Sequence, residues 1–250
     1  MKKHISIIDF GAGNLHSVCK AFGFVGANIE ITKDSNLIEK SDAVVFPGVG
    51  AFGAVMDSVK KNNLEEIIIK SAKSLKPFLG ICMGMQVLFE SGEENPNVKG
   101  LGVFKGKVVR FKKAKKVPHI GWNDVTRSVI ARSPERATKQ SDAFRHRPER
   151  KRGISLAQID PSSFHSSGQH SVLDCFVGLC PPRNDMGQFY FVHSYYVVPE
   201  DKNIIFAETE YDGEKFTSVI KKDNLLAVQF HPEKSGDAGL SLLEKFVKIV

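Results

Sequence analysis

A short apolar run that ends in a cysteine between glycines constrains this chain more than any other segment. Residues 77–86 read Pro-Phe-Leu-Gly-Ile-Cys-Met-Gly-Met-Gln, which predicts a strand over Phe78–Ile81, a sharp turn at Cys82 and a helix-like stretch through Phe89. Such a turn requires strained backbone angles, and the glycines two residues to either side remove Cβ atoms that would clash. The helix N-terminus would favour the thiolate. This segment alone fits a reactive nucleophile and a buried packing cysteine equally well.

Elsewhere the chain alternates between apolar runs of strand length and amphipathic stretches of helical spacing. This pattern predicts an α/β fold, with a mostly parallel central sheet covered by helices on both faces, as in flavodoxin-like proteins. The 250 residues suit a single domain. Strands are predicted over 4–10, 43–46, 78–81, 189–192, 204–207 and 226–230, and helices after Asn14, over 54–61, over 64–75 and at the C-terminus.

Composition limits the environment in which the chain works. The apolar runs are too short to span a membrane, and the N-terminus lacks the apolar length of a signal peptide. The four cysteines (Cys19, Cys82, Cys175 and Cys180) have no CxxC spacing, which argues against a disulfide scaffold or a zinc site. We therefore expect a cytoplasmic protein with no metal and no cofactor.

Residues 127–187 interrupt the α/β pattern and are predicted to be a basic, flexible insertion in the single domain. They contain ten Lys and Arg against six Asp and Glu, which is more than half of the chain's net charge of +7. Only twelve of these sixty-one residues are Leu, Ile, Val or Phe, near the level at which a segment cannot bury enough surface to become ordered. The remaining body is only mildly basic, so the overall charge says little about a partner. A functional basic arm is the alternative.

A second informative segment joins a histidine and a glutamate at the end of a predicted strand. Residues 225–236 read Leu-Leu-Ala-Val-Gln-Phe-His-Pro-Glu-Lys-Ser-Gly. Side chains two apart in extended backbone point the same way, so Glu233 can orient the imidazole of His231. This is the base and its orienting acid in a nucleophilic triad, for which Cys82 would supply the nucleophile. Without a nucleophile, the pair would be an ordinary loop histidine beside a surface glutamate.

A glycine-rich turn follows the strand that ends at Phe46. The residues after it read Pro-Gly-Val-Gly-Ala-Phe-Gly, and their backbone N–H groups at Val49 and Gly50 are candidates for holding an oxyanion. A tight structural turn is the commoner meaning of such a pattern. The similar run from Gly11 to Asn14 lacks the third glycine and the acidic residue of a dinucleotide site.

Together these segments resemble the class I glutamine amidotransferases. Gly80-x-Cys82-x-Gly84-x-Gln86 is similar to that family's nucleophile elbow, and His231-x-Glu233 to its base and orienting acid. Three more segments (47–53, 118–123 and 191–195) resemble the glutaminase branch that supplies ammonia for imidazole glycerol phosphate synthesis in histidine biosynthesis. The resemblance covers residues 4–126 and 188–249, and a connection of roughly ten residues would be expected in place of the insertion.

The resemblance implies roles for particular residues. It makes Cys82, His231 and Glu233 catalytic, and it assigns the oxyanion to backbone N–H groups of Val49, Gly50 and Met83. Four side chains would bind glutamine: Gln86, His193, Ser194 and Tyr195. Five would face a partner, a (β/α)8-barrel cyclase that receives the ammonia in a heterodimer: Asn14, Trp122, Asn123, Tyr190 and Lys234. Each of these five has an equally plausible meaning as a surface or packing residue.

Other functions remain open at this level. A paralogous amidotransferase for surface-sugar amidination or pyridoxal phosphate synthesis would show the same triad. A catalytically impaired binding protein, or a nucleic-acid binder with a basic arm, would retain only the fold. The preferred interpretation involves neither nucleic acid nor a membrane.

Overall fold

A nine-stranded sheet organises the chain in the computed structural model, which describes residues 3–11, 15–128 and 185–250. The strands are β1 (His4–Ile8), β2 (Asn28–Thr32), β3 (Ala43–Gly48), β4 (Phe78–Cys82), β5 (Ser91–Gly92), β6 (Gly106–Arg110), β7 (His119–Arg127), β8 (Asp185–His193), β9 (Tyr195–Pro199), β10 (Ile205–Tyr211), β11 (Glu214–Lys222) and β12 (Leu225–Val228). The helices are α1 (Leu15–Phe24), α2 (Ser35–Lys40), α3 (Phe52–Lys61), α4 (Glu65–Lys73), α5 (Met83–Gln86) and α6 (Gly236–Ile249).

Half of the large sheet is parallel, in the order β2-β1-β3-β4-β12. Every residue of β3, β4 and β12 is buried, as expected for apolar strands with helices on both faces. The α/β class predicted from the sequence is confirmed. The carboxyl ends of β3, β4 and β12 meet at one edge, where open α/β sheets place their sites.

The other half of the large sheet is antiparallel and runs β12-β11-β10-β7-β8. A smaller sheet, β5-β6-β9, covers it. Where they meet, the Phe111 ring packs against His193 and Phe216, with centroids 5.2 and 5.3 Å away. This aromatic cluster fixes the start of β9, which borders the site described below.

The helices divide between the two faces of the parallel half. The crossovers β1-α1-β2 and β2-α2-β3 run in opposite directions along the sheet, so right-handed connections place α1 and α2 on opposite faces. Accordingly, α1 packs against α6, and α2 packs against α4. Leu242, Leu243 and Phe246 of α6 are buried in the core.

The helix that follows Cys82 is shorter than predicted. The helix after Cys82 ends at Gln86 instead of running through Phe89, because the next carbonyl groups bond to a distant segment. Leu101 N donates to Val87 O at 2.8 Å, and Val103 N donates to Leu88 O at 2.8 Å. The thiol therefore stands on a single helical turn.

The predicted insertion begins and ends within two paired strands. β7 extends to Arg127 and β8 begins at Asp185, with Thr126 opposite Asp185 in antiparallel register. The residues between 128 and 185 lie outside the described part of the chain, as do Asn14, Cys175 and Cys180. Among the described residues, no helix is both long and apolar enough to cross a membrane.

Candidate active site

Cys82 occupies a strained turn between β4 and α5. Its backbone angles are φ 53° and ψ −107°, a region that residues other than glycine rarely adopt. Such strain costs on the order of 1–3 kcal/mol and persists only where the surrounding structure holds it. The residue is 4% exposed. The structure therefore has the sharp strand-to-helix turn at Cys82 that the sequence predicts.

The glycines that flank the elbow are required by close packing. A Cβ atom on Gly84 would lie 1.8 Å from the carbonyl oxygen of Phe46, well inside any allowed contact. A Cβ atom on Gly80 would lie 2.9 Å from the Gly84 carbonyl oxygen and 3.0 Å from the Ala227 Cβ. The first turn of α5 therefore rests directly on the backbone of β3.

His231 and Glu233 form a buried ion pair just beyond the end of β12. Pro232–Lys234 form a turn of 3-10 helix, not the extended backbone expected from the sequence, and the two side chains still meet. His231 Nδ1 lies 2.7 Å from Glu233 Oε1, and the two side chains are 2% and 3% exposed. Burial of the ring lowers the His231 pKa, but the Cys82 thiolate and the Glu233 carboxylate outweigh it and raise the pKa to about 10. The imidazole is therefore cationic at neutral pH.

The second ring nitrogen of His231, Nε2, is the one available to interact with Cys82. Nε2 makes no hydrogen bond of normal geometry among the described residues, while the Cys82 thiolate still contributes to holding the proton on the ring. One nitrogen is thus occupied by the orienting carboxylate. The other can give or take a proton near the sulfur.

The glycine-rich turn after β3 lies beside the elbow because the two strands are in register. Gly48 is paired with Cys82, so Val49 and Met83 are the first residues beyond the ends of these two adjacent strands. Gly50 has φ +108°, a conformation for which glycine is suited. A turn with this geometry can direct backbone N–H groups toward the space above the sulfur.

A distant acidic segment holds the far end of this turn. Glu94 Oε2 accepts a hydrogen bond from Phe52 N at 2.7 Å, and Asn95 Oδ1 accepts one from Gly53 N at 2.9 Å. These side chains cap α3, whose own N-cap residue makes no side-chain hydrogen bond. The glycine-rich turn is thereby tied at both ends.

A pocket of about 300 Å³ opens above these groups. Its walls include every residue predicted to be catalytic, to hold the oxyanion or to bind substrate, except Glu233, which supports His231 from behind. The lining residues are Val49, Gly50, Cys82, Met83, Gln86, Glu94, Pro118, Val192, His193, Ser194, Tyr195 and His231. Its volume is at the lower end of the range for small-molecule sites.

His193 contributes a neutral imidazole to the pocket wall. Its Nδ1 lies 2.8 Å from the Tyr195 carbonyl oxygen and therefore donates to it, which leaves Nε2 unprotonated. Complete burial lowers the His193 pKa to about 3. His193 is consequently uncharged in the pH range in which His231 is cationic.

Gln86 and Gln229 form a hydrogen-bonded chain that ends on the sulfur. Gln86 Nε2 donates to Tyr195 O at 2.9 Å and to Gln229 Oε1 at 3.0 Å, and Gln229 Nε2 donates to Cys82 Sγ at 3.6 Å. Both amide hydrogens of Gln86 are thus used, and its oxygen is the group that it can offer a ligand.

Two of these residues, Gln229 and Glu94, were missed by the sequence analysis. Gln229 is two positions before His231, so the same two-residue spacing that selected Glu233 from the sequence would have selected it as well. Glu94 had no comparable signal, because only the tertiary fold brings residue 94 to the turn after β3.

The predicted partner-facing residues separate into two groups. Trp122 is 54% exposed, lies edge-on to Tyr190 at 6.1 Å and covers the start of α6, just beyond Lys234. Asn123 is on the opposite face of β7, and its amide donates to Glu210 O at 2.9 Å. The structure therefore places Trp122 and Tyr190 side by side against the segment that follows Lys234, with Asn123 on the other face of β7.

Among the described residues, no group of three His, Cys, Asp or Glu side chains could hold a metal ion. The side chains that meet in and behind the pocket are a cysteine sulfur, an imidazolium and an orienting carboxylate. This set suits acyl transfer through a covalent thioester.

Comparison with known proteins identifies the family of the chain. The family model for class-I glutamine amidotransferases matches residues 6–250, and the chain belongs to that family. Within it, the chain is 40% identical over 248 residues to the imidazole glycerol phosphate synthase subunit HisH of Methanocaldococcus jannaschii, covering 98% of this chain and 100% of the relative. It is 37% identical over 246 residues to the subunit HisH of Methanothermobacter thermautotrophicus, covering 98% of both chains.

Solved structures share the fold at much lower sequence identity. A crystal structure of a glutamine amidotransferase has a TM-score of 0.60 at 14% identity, covering 98% of this chain and 97% of the other. A chain from the structure of PurLQS from Thermotoga maritima has a TM-score of 0.64 at 13% identity, with 99% of both chains covered. These likenesses bear on the fold alone.

Replacing Glu233 tests the electrostatics of the pair. In Glu233→Gln, the loss of the carboxylate removes one of the charges that hold the proton, so the His231 pKa should fall by about one unit or more. The measurement is an NMR titration of the His231 ring protons. The exposed control Glu200→Gln should leave the midpoint unchanged, and an equal midpoint in Glu233→Gln would show that the carboxylate does not charge the ring.

Replacing Gly84 tests the packing of the elbow. Gly84→Ala places a methyl group against the Phe46 carbonyl and should lower the free energy of unfolding by about 3 kcal/mol or more, measured by urea denaturation. Gly23→Ala is the matched control, because a Cβ there meets nothing within 4 Å, and it should raise the free energy of unfolding by about 0.5 kcal/mol. Equal effects of the two substitutions would contradict the packing account.

Proposed function

We propose that this chain is the glutaminase subunit of an imidazole glycerol phosphate synthase, hydrolysing glutamine and delivering ammonia to a cyclase subunit. The observation that carries the proposal is a single pocket in which Cys82, His231 and the turn at Val49-Gly50 converge. The relatives named above, which align over nearly the whole chain, support the acceptor reaction.

The first half of the reaction uses the Cys82 thiolate and the His231 imidazolium as an ion pair. The Cys82 thiolate attacks the side-chain amide carbon of glutamine, and the carbonyl oxygen becomes an oxyanion. Backbone N–H groups of Val49, Gly50 and Met83 stabilise that charge. The His231 imidazolium donates its Nε2 proton to the leaving nitrogen, which departs as ammonia and leaves a glutamyl thioester on the sulfur.

The second half regenerates the enzyme. Neutral His231 takes a proton from water, and the resulting nucleophile attacks the thioester carbonyl carbon. The carbon–sulfur bond breaks, glutamate leaves, and the thiolate and the imidazolium are restored as an ion pair. Glu233 keeps the ring oriented throughout, through its 2.7 Å contact with Nδ1.

The pocket wall supplies groups for the glutamine backbone. The amide oxygen of Gln86 suits the α-ammonium group of the substrate glutamine, since both N–H groups of Gln86 already donate to other partners. Ser194 and Tyr195, in the same wall, offer hydroxyl and backbone donors for the α-carboxylate. His193 contributes a neutral ring, so it adds no second positive charge beside His231.

Ammonia must reach its acceptor before it is protonated and lost to water. We propose that the surface formed by Trp122, Tyr190 and Lys234 receives a (β/α)8-barrel cyclase, in a cytoplasmic heterodimer. This surface adjoins Glu233, and its exposed tryptophan is the kind of aromatic anchor common at interfaces. This surface is also connected to the active site, because the backbone N of His231 donates to the Tyr190 carbonyl at 2.9 Å. Ligand binding to the cyclase could therefore change glutaminase activity through this contact.

The division of labour is tested with Cys82→Ala in the reconstituted complex. Glutamine-dependent synthesis of imidazole glycerol phosphate should fall by at least about 10³-fold, because no thioester forms. Synthesis from free ammonia should be unchanged, because the cyclase needs only the amine. Both rates, and glutamate release with and without cyclase ligand, are measured in parallel.

Three outcomes would contradict parts of the proposal. Loss of both syntheses would contradict the separation of the two activities. Glutamine hydrolysis without any transfer to this cyclase would indicate a different acceptor. An inert Cys82 in the assembled wild-type complex would indicate a binding protein.

The segment predicted as an insertion is proposed to be dispensable for the glutaminase. Because β7 and β8 pair antiparallel up to Thr126 and Asp185, a short turn can join them. Replacing residues 129–184 with a short Gly-Ser linker should therefore keep kcat for glutamine within about threefold. This boundary retains Arg127, whose guanidinium lies 5.2 Å above the Phe206 ring, and the buried Met186.

The control for this deletion also removes the strand ends, replacing residues 124–188. That version should fail to fold, as measured by circular dichroism and thermal unfolding. Loss of folding in the shorter deletion would show that the segment is structural.

A further inference from the structure

A buried glutamine that the proposed mechanism does not use contacts the reactive sulfur. Gln229 follows β12, its side chain is completely buried, and its backbone N donates to Ser218 O at 2.9 Å. It lies two residues before His231, where the chain bends after the end of β12. Its side-chain nitrogen lies 3.6 Å from the Cys82 sulfur at the elbow.

The orientation of the Gln229 amide follows from its neighbours. The Tyr195 carbonyl can only accept, so the group of Gln86 that faces it must be the NH2. That NH2 group also donates to the oxygen of Gln229, which directs the Gln229 nitrogen to the sulfur. The chain from backbone carbonyl to sulfur has only one consistent set of donors and acceptors.

We propose that Gln229 is a thiolate-positioning residue, whose amide N–H holds the Cys82 sulfur in place and stabilises its charged form. The 3.6 Å distance suits an N–H donor to sulfur. A hydrogen bond to an ionised group is stronger than one to a neutral group, so this contact favours the thiolate over the thiol.

The contact complements the ion pair with His231. During each turnover the imidazolium gives up its proton and loses its charge, while the Gln229 amide remains a donor in every state of the sulfur. When glutamate leaves, the N–H is already aligned to receive the returning negative charge. The proposal rests on Cys82 acting as the nucleophile, and it adds the group that holds the thiolate on the side of β12.

The test measures Cys82 reactivity without glutamine or cyclase. Iodoacetamide alkylation of Cys82, resolved from the other cysteines by peptide mass spectrometry, is followed against pH in the full chain. Gln229→Met keeps the side-chain length but removes the donor, so the rate at pH 7 should fall about tenfold. The midpoint of the pH profile should rise by about one unit. Gln188→Met, at an exposed glutamine on β8, is the matched control and should match wild type.

A second variant separates the donor from the packing. Gln229→Glu keeps an acceptor for Gln86 but places an oxygen in place of the donor, and it should raise the alkylation midpoint at least as much as Gln229→Met. Gln86→Met should raise it less, because the donor remains but loses the partner that orients it. In the assembled synthase, Gln229→Met should lower kcat for glutamine while KM changes less than about threefold.

Specific results would overturn the inference. An unshifted midpoint in a folded Gln229→Met variant, or slower alkylation at every pH without a shift, would reduce Gln229 to a packing residue. If the variants do not fold, the side-chain amide resonance of Gln229 in the wild-type chain decides. It should shift with the same pH midpoint as Cys82 alkylation, and this shift should disappear in Cys82→Ala.

Failure of the inference and failure of the proposed function give different results. Rapid Cys82 alkylation with the expected Gln229 effects, but without glutamine hydrolysis in the complex, would remove the function and leave the positioning role intact. Normal glutaminase activity with no effect of the Gln229 substitutions would remove the positioning role and leave the proposed function intact.

Discussion

The close approach of Gly84 to the carbonyl of Phe46 is the constraint on which the site depends. It allows the single turn of α5 to rest on the backbone of β3, which in turn holds Cys82 at a positive φ. The same approach sets the turn after β3 beside the sulfur, because Gly48 and Cys82 are paired. One backbone contact thus positions both the nucleophile and the groups that would hold its oxyanion.

The electrostatics of the pocket follow from which groups share its buried space. His231 is held cationic by two nearby negative charges, despite burial that opposes its charge. His193 is also buried, and a backbone carbonyl is its only hydrogen-bond partner among the described residues, so it is held neutral. Of the two histidines in the pocket wall, His231 is therefore cationic and His193 is neutral at neutral pH. Only His231, beside the sulfur, can act as an acid there.

Sequence patterns predicted the local parts of this arrangement. The elbow at Cys82, the strand-end pair His231 and Glu233, and the parallel strands that carry them are each encoded within a few consecutive residues. Most helices and strands of the parallel half were predicted for the same reason, but β2 and α2 were not. In the antiparallel half, β8 and β10 were predicted, whereas β7 and β11 were not. β7 alternates between buried and exposed positions and depends on its partner strands for burial.

The sequence by itself determined the chemical groups and their local geometry: a thiol on a tight turn, an imidazole beside a carboxylate, and glycines where backbones nearly touch. Only the tertiary structure decided which groups meet. The chain from Tyr195 through Gln86 and Gln229 to Cys82 joins residues more than one hundred positions apart. The short α5 depends likewise on hydrogen bonds from residues 101–104. Spacing along a chain specifies neighbours within a strand or turn, whereas contacts across the sheet depend on strand order and register, which no local pattern contains.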